Sequence, residues 1–295
     1  MDKSNKFPII MLMLATVIWG STFAVVKDTL NSVNEYYLIF IRSIIAAIPL
    51  LIFTLIKNPQ SLFNKEIVRK GAIIGIALGL TYGFQNLGML YTSAGNSAFI
   101  MASNVIFVPV FLAIFYKNRF NGKSIISISV VVFGLGLLTY RDGTKLNPGD
   151  LLTLVAAAIT ALHIIWTGRF VKNSDLLALV TYQFVFSALL AFVASLIFSP
   201  ESFTMSYSME SWTAMIYLGA LGSLFCYFIT VWAQKSLSYV TVTLIFSLEP
   251  VFASVFSYFI LGEVLGTKQL FGATLILMGI LFFEVPFKKI RFLNR

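Results

Sequence analysis

Ten long stretches of almost uninterrupted apolar residues restrict the fold of this chain more than any other feature of its sequence. Each has about 17–23 residues, enough for an α-helix to cross the ~30 Å hydrocarbon core of a bilayer. Strands of a membrane barrel would instead alternate apolar and polar residues over about ten positions. The pattern therefore predicts an all-α integral membrane protein with ten transmembrane helices, at residues 8–26, 36–56, 71–91, 96–116, 124–140, 151–170, 176–198, 212–233, 239–261 and 269–286.

Composition excludes several other classes of protein. Of the 295 residues, 58% are apolar and 11% are charged, whereas a soluble protein has about 25% charged residues. Cys226 is the single cysteine and His163 the single histidine, so no disulfide within the chain and no cysteine-based metal site is available. No nucleotide-binding loop is present either. The sequence therefore implies no metal, no cofactor and no enzymatic activity.

Lysine and arginine are unequally distributed between alternate loops. With the N-terminus inside, 16 of them lie on the inner side and four on the outer side. The positive-inside rule then predicts cytoplasmic N- and C-termini for a multi-pass protein of the cytoplasmic, or inner, membrane. The net charge of +9 is explained by short cytoplasmic loops that face an anionic leaflet. The expected partners are the lipid bilayer and a small-molecule substrate, with no nucleic acid.

The chain also resembles itself at an offset of 145 positions. The matched pairs are Lys27 with Lys172, Tyr37 with Tyr182, Tyr82 with Tyr227, Ser93 with Ser238 and Gly134 with Gly279. Pro109 and Pro250 are 141 positions apart, which a gap of about four residues reconciles with the repeat. Each unit contains five spans, so the second copy must be inverted in the membrane, an arrangement typical of secondary transporters.

The repeat predicts the domain organisation. A first five-helix unit covers residues 8–140, and an external connector rich in glycine and proline covers 141–150. A second five-helix unit covers 151–286, and a basic cytoplasmic tail covers 287–295. The expected fold is therefore a 5+5 inverted-topology repeat of ten transmembrane helices.

Several motifs resemble those of the drug/metabolite transporter superfamily, specifically its ten-helix carriers with two EamA domains. They are Trp19-Gly20-Ser21-Thr22-Phe23, Arg42, Leu248-Glu249-Pro250-Val251-Phe252, Leu261-Gly262-Glu263 and the tenth span around Gly279. The first half departs from the family where it reads Tyr116-Lys117-Asn118-Arg119. The resemblance implies alternating access, a central site near the bilayer midplane, and substrates among amino acids, other metabolites and drugs.

The expected function is secondary transport of a small metabolite, an amino acid or a similar polar or amphipathic compound. A multidrug or toxic-metabolite exporter is one alternative. A membrane-embedded enzyme or a permease subunit is another, from a different class. Coupling to protons, and a monomeric or homodimeric state, are left open.

Polar and aromatic side chains deep within the spans are the candidate substrate-binding residues, because a polar group at that depth faces a bundle interior or a cavity. Interhelical hydrogen bonding is the competing explanation for most of them. The proposed set is Trp19, Tyr82, Gln85, Asn86, Asn104, His163, Tyr227 and Glu249. Arg42 is expected to reach the outer interface or to tie helices together, with anion binding as the alternative.

Proline and one carboxylate complete the candidates. Pro109 and Pro250 lie inside spans and are the candidate hinges, since each removes a backbone hydrogen bond and kinks a helix. Glu249 directly precedes Pro250. An ionised carboxylate at this depth needs a partner, water or a proton. A structural or gating role and proton coupling are the two interpretations of Glu249.

Overall fold

A computed structural model describes residues 6–116, 122–139, 147–237, 242 and 245–284. Within these residues every regular element is helical. The α-helices are α1 (Lys6–Thr29), α2 (Glu35–Lys57), α3 (Lys65–Tyr91), α4 (Ala94–Ala102), α5 (Asn104–Tyr116), α6 (Gly122–Thr139), α7 (Pro148–Phe170), α8 (Leu176–Phe198), α9 (Met209–Tyr217), α10 (Cys226–Ala233), α11 (Glu249–Leu261) and α12 (Thr267–Glu284). A π-helix, Leu218–Phe225, joins α9 to α10.

The helical segments support the prediction of a membrane protein. Seven of those in the described ranges are long and apolar enough to cross a bilayer. Two shorter apolar helices, Ile125–Leu137 and Glu249–Leu261, belong to the fifth and ninth predicted spans, which include residues outside the described ones. Residues 141–146 of the predicted connector and the whole predicted tail, 287–295, also lie outside the described residues.

Side-chain caps set several helix starts. Asn34, Asn64 and Asp175 each accept a hydrogen bond from a backbone N–H in the first turn of the helix that follows, which satisfies donors that have no partner within the helix. Directly after the C-terminus of α11, Gly262 adopts φ +66°. This left-handed conformation favours glycine and ends the helix sharply.

Glycines allow the helices of the two halves to approach closely. A Cβ on Gly75 of α3 would lie 2.5 Å from the Gln183 carbonyl oxygen of α8. A Cβ on Gly219 of the π-helix would lie 2.6 Å from Ile45 of α2. Gly71 and Gly79 of α3 likewise pack against α8, whereas Gly83, one turn further along, faces open space.

The fourth and eighth predicted spans are irregular. The fourth span consists of α4 and α5, which meet at Ser103, six residues before Pro109. The eighth span is continuous but changes from α to π geometry at Leu218 and back at Cys226. Both irregular stretches lie beside the same internal cavity.

Candidate substrate-binding cavity

A cavity of about 810 Å³, its opening included, lies between the two halves of the chain. The wall is formed by Trp19, Thr22, Phe23 and Val26 of α1, Arg42 of α2, Thr81, Tyr82 and Gln85 of α3, Met101 of α4, Asn104 of α5, Thr160, His163, Ile164 and Thr167 of α7, Tyr227, Thr230 and Val231 of α10, and Gln234, Phe246 and Glu249.

Seven of the eight candidate substrate-binding residues line this cavity. They are Trp19, Tyr82, Gln85, Asn104, His163, Tyr227 and Glu249. Asn86 does not, because its side chain is buried on another face of α3 and donates a hydrogen bond of 3.3 Å to the Glu35 carbonyl oxygen. Asn86 thus links α3 to the first turn of α2.

Aromatic rings form one wall of the cavity around Trp19. The indole meets the rings of Tyr227 and Phe246 edge to face, at centroid distances of 5.1 and 5.0 Å. Its N–H donates to the Gly222 carbonyl oxygen at 2.8 Å. Gly222 lies in the π-helix, a geometry that occurs frequently at functional sites. A Cβ on Gly222 would lie 2.8 Å from the Thr22 methyl group, so glycine permits this contact between α1 and the π-helix.

Arg42 places a guanidinium group in the cavity wall. Its Nε donates to Ser223 Oγ at 3.0 Å, and its Cζ lies 3.9 Å from the centroid of the Tyr82 ring. The residue is 3% exposed. In the described part of the chain no carboxylate forms an ion pair with it. Its contacts join the two halves through a hydroxyl group of the second half and an aromatic ring of the first.

His163 lies on α7 and is held from two directions. Its Nε2 is 3.3 Å from Gln183 Oε1 of α8, and its ring meets the Tyr227 ring edge to face at 5.8 Å. No cluster of three or more His, Cys, Asp or Glu residues occurs among the residues the structure describes. His163 therefore belongs to a polar network in the cavity wall.

Among the residues that the structure describes, three of the cavity wall carry a buried polar atom that has no hydrogen-bond partner. They are Asn104 Oδ1, Thr167 Oγ1 and Gln234 Oε1. A buried polar atom without a partner costs about 1–3 kcal/mol. Such atoms are expected where water or a ligand supplies the missing bonds.

Glu249 is the acidic residue of the cavity wall and the first residue of α11. Pro250 follows it in the first helical turn, where a backbone N–H is not needed. The turn at Ser247 and Leu248 immediately before them breaks the ninth span. Met101 and Asn104 flank the break in the fourth span in the same way, so both breaks present side chains to the cavity.

At one end of α4 the two halves are joined by a carboxylate. Glu263 accepts hydrogen bonds from the backbone N–H groups of Ala94 and Gly95, at 3.0 and 3.1 Å. Gln269 reinforces this contact by donating to Asn96 Oδ1 at 3.2 Å. A carboxylate at a helix N-terminus satisfies orphan donors and complements the helix dipole. Sequence reasoning singled out Glu263 only as part of a motif and gave it no role.

Sequence reasoning also missed several wall residues, among them Thr22, Thr167, Thr230 and Phe246. The offset of 145 could have found them. Six pairs of wall positions are separated by that offset: Trp19 and Ile164, Thr22 and Thr167, Tyr82 and Tyr227, Gln85 and Thr230, Met101 and Phe246, and Asn104 and Glu249. The repeat thus extends to the residues that enclose the cavity.

Comparison with known proteins agrees with this geometry. The profile of the EamA-like transporter family matches residues 6–140 and 147–284, which is nearly the whole chain. The chain belongs to the EamA-like transporter family. The resemblance inferred from the motifs around Trp19, Glu249 and Glu263 is therefore confirmed.

Relatives of this EamA-like chain are named as transporters. A protein of Archaeoglobus fulgidus, named an uncharacterized transporter, is 30% identical over 274 residues, covering 92% of this chain and 83% of its own length. A protein of Escherichia coli, named a probable amino-acid metabolite efflux pump, is 25% identical over 291 residues, covering 92% of each chain. A protein of known crystal structure aligns with a TM-score of 0.67 and 15% identity, covering 93% of this chain and 95% of its own. At that identity the match shows a shared fold alone.

Proposed function

We propose that this EamA-like protein is a secondary carrier that moves a small polar or amphipathic metabolite through the cavity by alternating access. The carrier has ten transmembrane helices arranged as a 5+5 inverted repeat. These helices cross the inner membrane, and both termini lie in the cytoplasm. Residues 8–140 and 151–286 form the two repeats. A substrate that binds between them contacts both, so movement of one repeat against the other alternately exposes it to each side.

The single observation that carries this proposal is the composition of the cavity wall. Six pairs of wall residues are 145 positions apart. A site built from equivalent positions of two repeats lies near the axis that relates them. Such a site keeps its architecture when the two repeats exchange conformations, which alternating access requires.

Helix packing also supports the repeat. Helix α2 packs on its counterpart α8, and α6 packs on its counterpart α12. Helix α1 packs on α11, while α7, the counterpart of α1, packs on α4 and α5. The first two contacts therefore join equivalent helices to each other, and the contact of α1 with α11 has its equivalent in the contact of α7 with α4 and α5.

The Glu263 contact supports a gate. In the proposed topology, the end of α11 and the start of α4 face outside. The bonds from Ala94 and Gly95 to Glu263 close the two halves against each other there. We infer that this conformation is closed to the outside, and that Glu263 leaves the α4 terminus when the outer side opens.

Counterflow in proteoliposomes tests the proposal. Purified protein is reconstituted with unlabelled amino acid inside, and uptake of the same labelled amino acid is followed. A carrier shows saturable uptake that is accelerated by the internal pool. Linear, non-saturating flux would indicate a channel, and a chemically altered solute would indicate an enzyme. Absence of saturable exchange for amino acids, other small metabolites and drugs alike would refute the carrier.

A further inference from the structure

The same helix crossing occurs twice in the chain, and its two copies differ in how tightly they are closed. A crevice of about 510 Å³, its opening included, lies between α5 and the end of α7 and is lined by Val108, Leu112, Ile165, Arg169 and Lys172. The positions equivalent to these at the offset of 145 all lie in α1 and α11, and they are Ala253, Ser257, Gly20, Ala24 and Lys27. There the crossing is closed, because Ala253 and Ser257 are buried and a Cβ on Gly20 would lie 2.5 Å from Phe252 Cβ. In the topology proposed above, the closed crossing faces the outside and the open one faces the cytoplasm.

Lys27 is the charged residue of the closed crossing. It lies in the last turn of α1, and its ammonium group donates a hydrogen bond to the carbonyl oxygen of Met89. Met89 belongs to the last turn of α3, where carbonyl groups have no partner within the helix. Glu263, which caps α4, lies within electrostatic range of the ammonium group. Lys27 therefore ties the outer end of α1 to that of α3, beside the Glu263 contact.

The second half repeats both partners of this contact. Lys172 is equivalent to Lys27, and Gln234 is equivalent to Met89. Gln234 is the C-cap of α10, so its carbonyl oxygen accepts no hydrogen bond within the helix. Its side-chain Oε1 is buried in the cavity wall, and no described residue donates a hydrogen bond to it. Gln234 thus offers two acceptor oxygens, and a lysine ammonium group offers three donors.

The two helices that carry these residues already meet inside the cavity. The ring of His163 on α7 contacts the ring of Tyr227 on α10, with centroids 5.8 Å apart. Lys172 and Gln234 each lie about two turns further along the chain than this contact. Lys172 is exposed at the crevice. A rotation about the His163 contact that narrows the crevice would carry Lys172 towards Gln234.

Resting on the carrier proposed above, we propose that Lys172 is the inner gate of the cavity. When the outer side opens, its ammonium group binds the carbonyl oxygen and Oε1 of Gln234 and closes the cavity to the cytoplasm. Inverted repeats exchange conformations during transport, so the contact that Lys27 makes in one conformation is made by Lys172 in the other. The second amide oxygen of Gln234 takes a place that a thioether has in Met89.

Access to the cavity from each side tests the inner gate. In a Cys226→Ala background, a cysteine at Thr160 in the cavity wall is labelled with an impermeant maleimide in right-side-out and in inside-out vesicles. Lys27→Met should raise the labelling rate from the outside roughly tenfold, because loss of a charge-assisted hydrogen bond shifts a two-state equilibrium by about that factor. Adding Lys172→Met to Lys27→Met should return the outer rate towards that of the wild type and raise the inner rate, since the outward-open conformation then loses its own contact.

Arg169→Met is the matched control, because it removes a positive charge from the same crevice and its equivalent, Ala24, has no polar side chain. Adding it to Lys27→Met should leave the outer rate high. A folded double variant of Lys27 and Lys172 that keeps the high outer rate would overturn the proposal. An unchanged rate in Lys27→Met alone would do the same, because the gate is assigned by equivalence with Lys27. If Lys172→Met does not fold, Gln234→Met replaces it, with a smaller fall of the outer rate expected and an unchanged rate overturning the proposal.

The inner gate and the carrier fail separately in these experiments, because labelling needs no substrate. Saturable counterflow, together with labelling rates that do not depend on Lys172, would overturn the gate and leave the carrier standing. Labelling rates that respond to both lysines, without saturable exchange of any solute, would refute the carrier and leave the two contacts standing.

Discussion

The rings of Tyr82 and Tyr227 meet edge to face with their centroids 6.2 Å apart, although the residues are 145 positions apart in the chain. Equivalent residues of two repeats can touch only near the axis that relates the repeats. The pair therefore marks the centre of the proposed 5+5 arrangement. Both rings line the cavity, so this axis passes through the candidate site.

Truncation of wall residues should weaken ligand binding. Tyr82→Ala removes the ring beneath Arg42, and Asn104→Ala removes an amide with an unpartnered oxygen. Each should cost roughly 1–3 kcal/mol of binding free energy if the group contacts the ligand. Asn86→Ala is the matched control, because it removes a buried amide of α3, the helix that carries Tyr82, and this amide lies outside the cavity wall. Calorimetry of the folded variants measures the effect, and unchanged affinity for both wall variants would remove these residues from the site.

The proposed topology predicts which loops reagents can reach. In a Cys226→Ala background, a cysteine at the exposed Thr204 should react with a membrane-impermeant maleimide added outside. A cysteine at the exposed Gln60 should react only after the membrane is permeabilised. The reaction of each cysteine with the maleimide is measured in intact cells and again after permeabilisation. The opposite pattern would place the N-terminus outside and reverse the assignment of the Glu263 gate.

Transport is expected to respond to a pH gradient through Glu249. If solute binding displaces a proton from Glu249, proton and solute compete for the same site, so solute uptake into proteoliposomes should accelerate when the interior is made acidic. Arg42, His163, Tyr82 and Tyr227 are the other ionisable groups of the described cavity wall. Glu249→Gln should remove the response, while His163→Gln should retain it. Uptake by the wild type that ignores the pH step would rule out proton coupling.

Removal of the Glu263 contact should open the outer end of the cavity. Glu263→Ala deletes two hydrogen bonds from a carboxylate to backbone N–H groups. A cysteine placed at Thr160 in the cavity wall should then react faster with an impermeant thiol reagent added outside. Glu201→Ala, at an exposed carboxylate far from α4 in sequence, serves as the control. An unchanged labelling rate would show that Glu263 does not hold the gate.

Close packing of α1 on α11 predicts a stability difference between two glycines. A Cβ on Gly20 would lie 2.5 Å from Phe252 Cβ and 2.9 Å from the Ala253 nitrogen, whereas a Cβ on Gly83 meets nothing within 4 Å. Gly20→Ala should therefore lower the free energy of unfolding by about 1–3 kcal/mol. Gly83→Ala should not lower it. Thermal unfolding in the same detergent compares them, and equal melting temperatures would contradict the crowded crossing.

The helices were predictable because membrane spans have a strong compositional signal. The sequence predicts the second span at residues 36–56, and the helix runs from Glu35 to Lys57. The sequence predicts an irregularity of the fourth span at Pro109, whereas the helix breaks at Ser103. Proline constrains a helix, but the residue at which the helix breaks also depends on neighbours that the sequence does not reveal.

Residues inside the cavity were predictable only in part. Polar groups deep in apolar spans stand out, so seven of the eight candidates lie in the wall. Asn86 has the same signal but points to Glu35, because the sector of a helix that faces the cavity is set by its packing partners. Arg42 shows the same limit, since its contacts with Ser223 and Tyr82 join residues far apart in sequence.

The π-helix couples the backbone of the second half to the aromatic wall of the cavity. The Trp19 N–H donates to the carbonyl oxygen of Gly222 within this stretch, whereas α3, its counterpart in the first half, is continuous α-helix from Lys65 to Tyr91. A change of residues 218–225 from π to α geometry would alter the number of residues per turn and so turn this carbonyl group away from the indole. The orientation of the indole therefore depends on the hydrogen-bonding pattern of a helix in the other half of the chain.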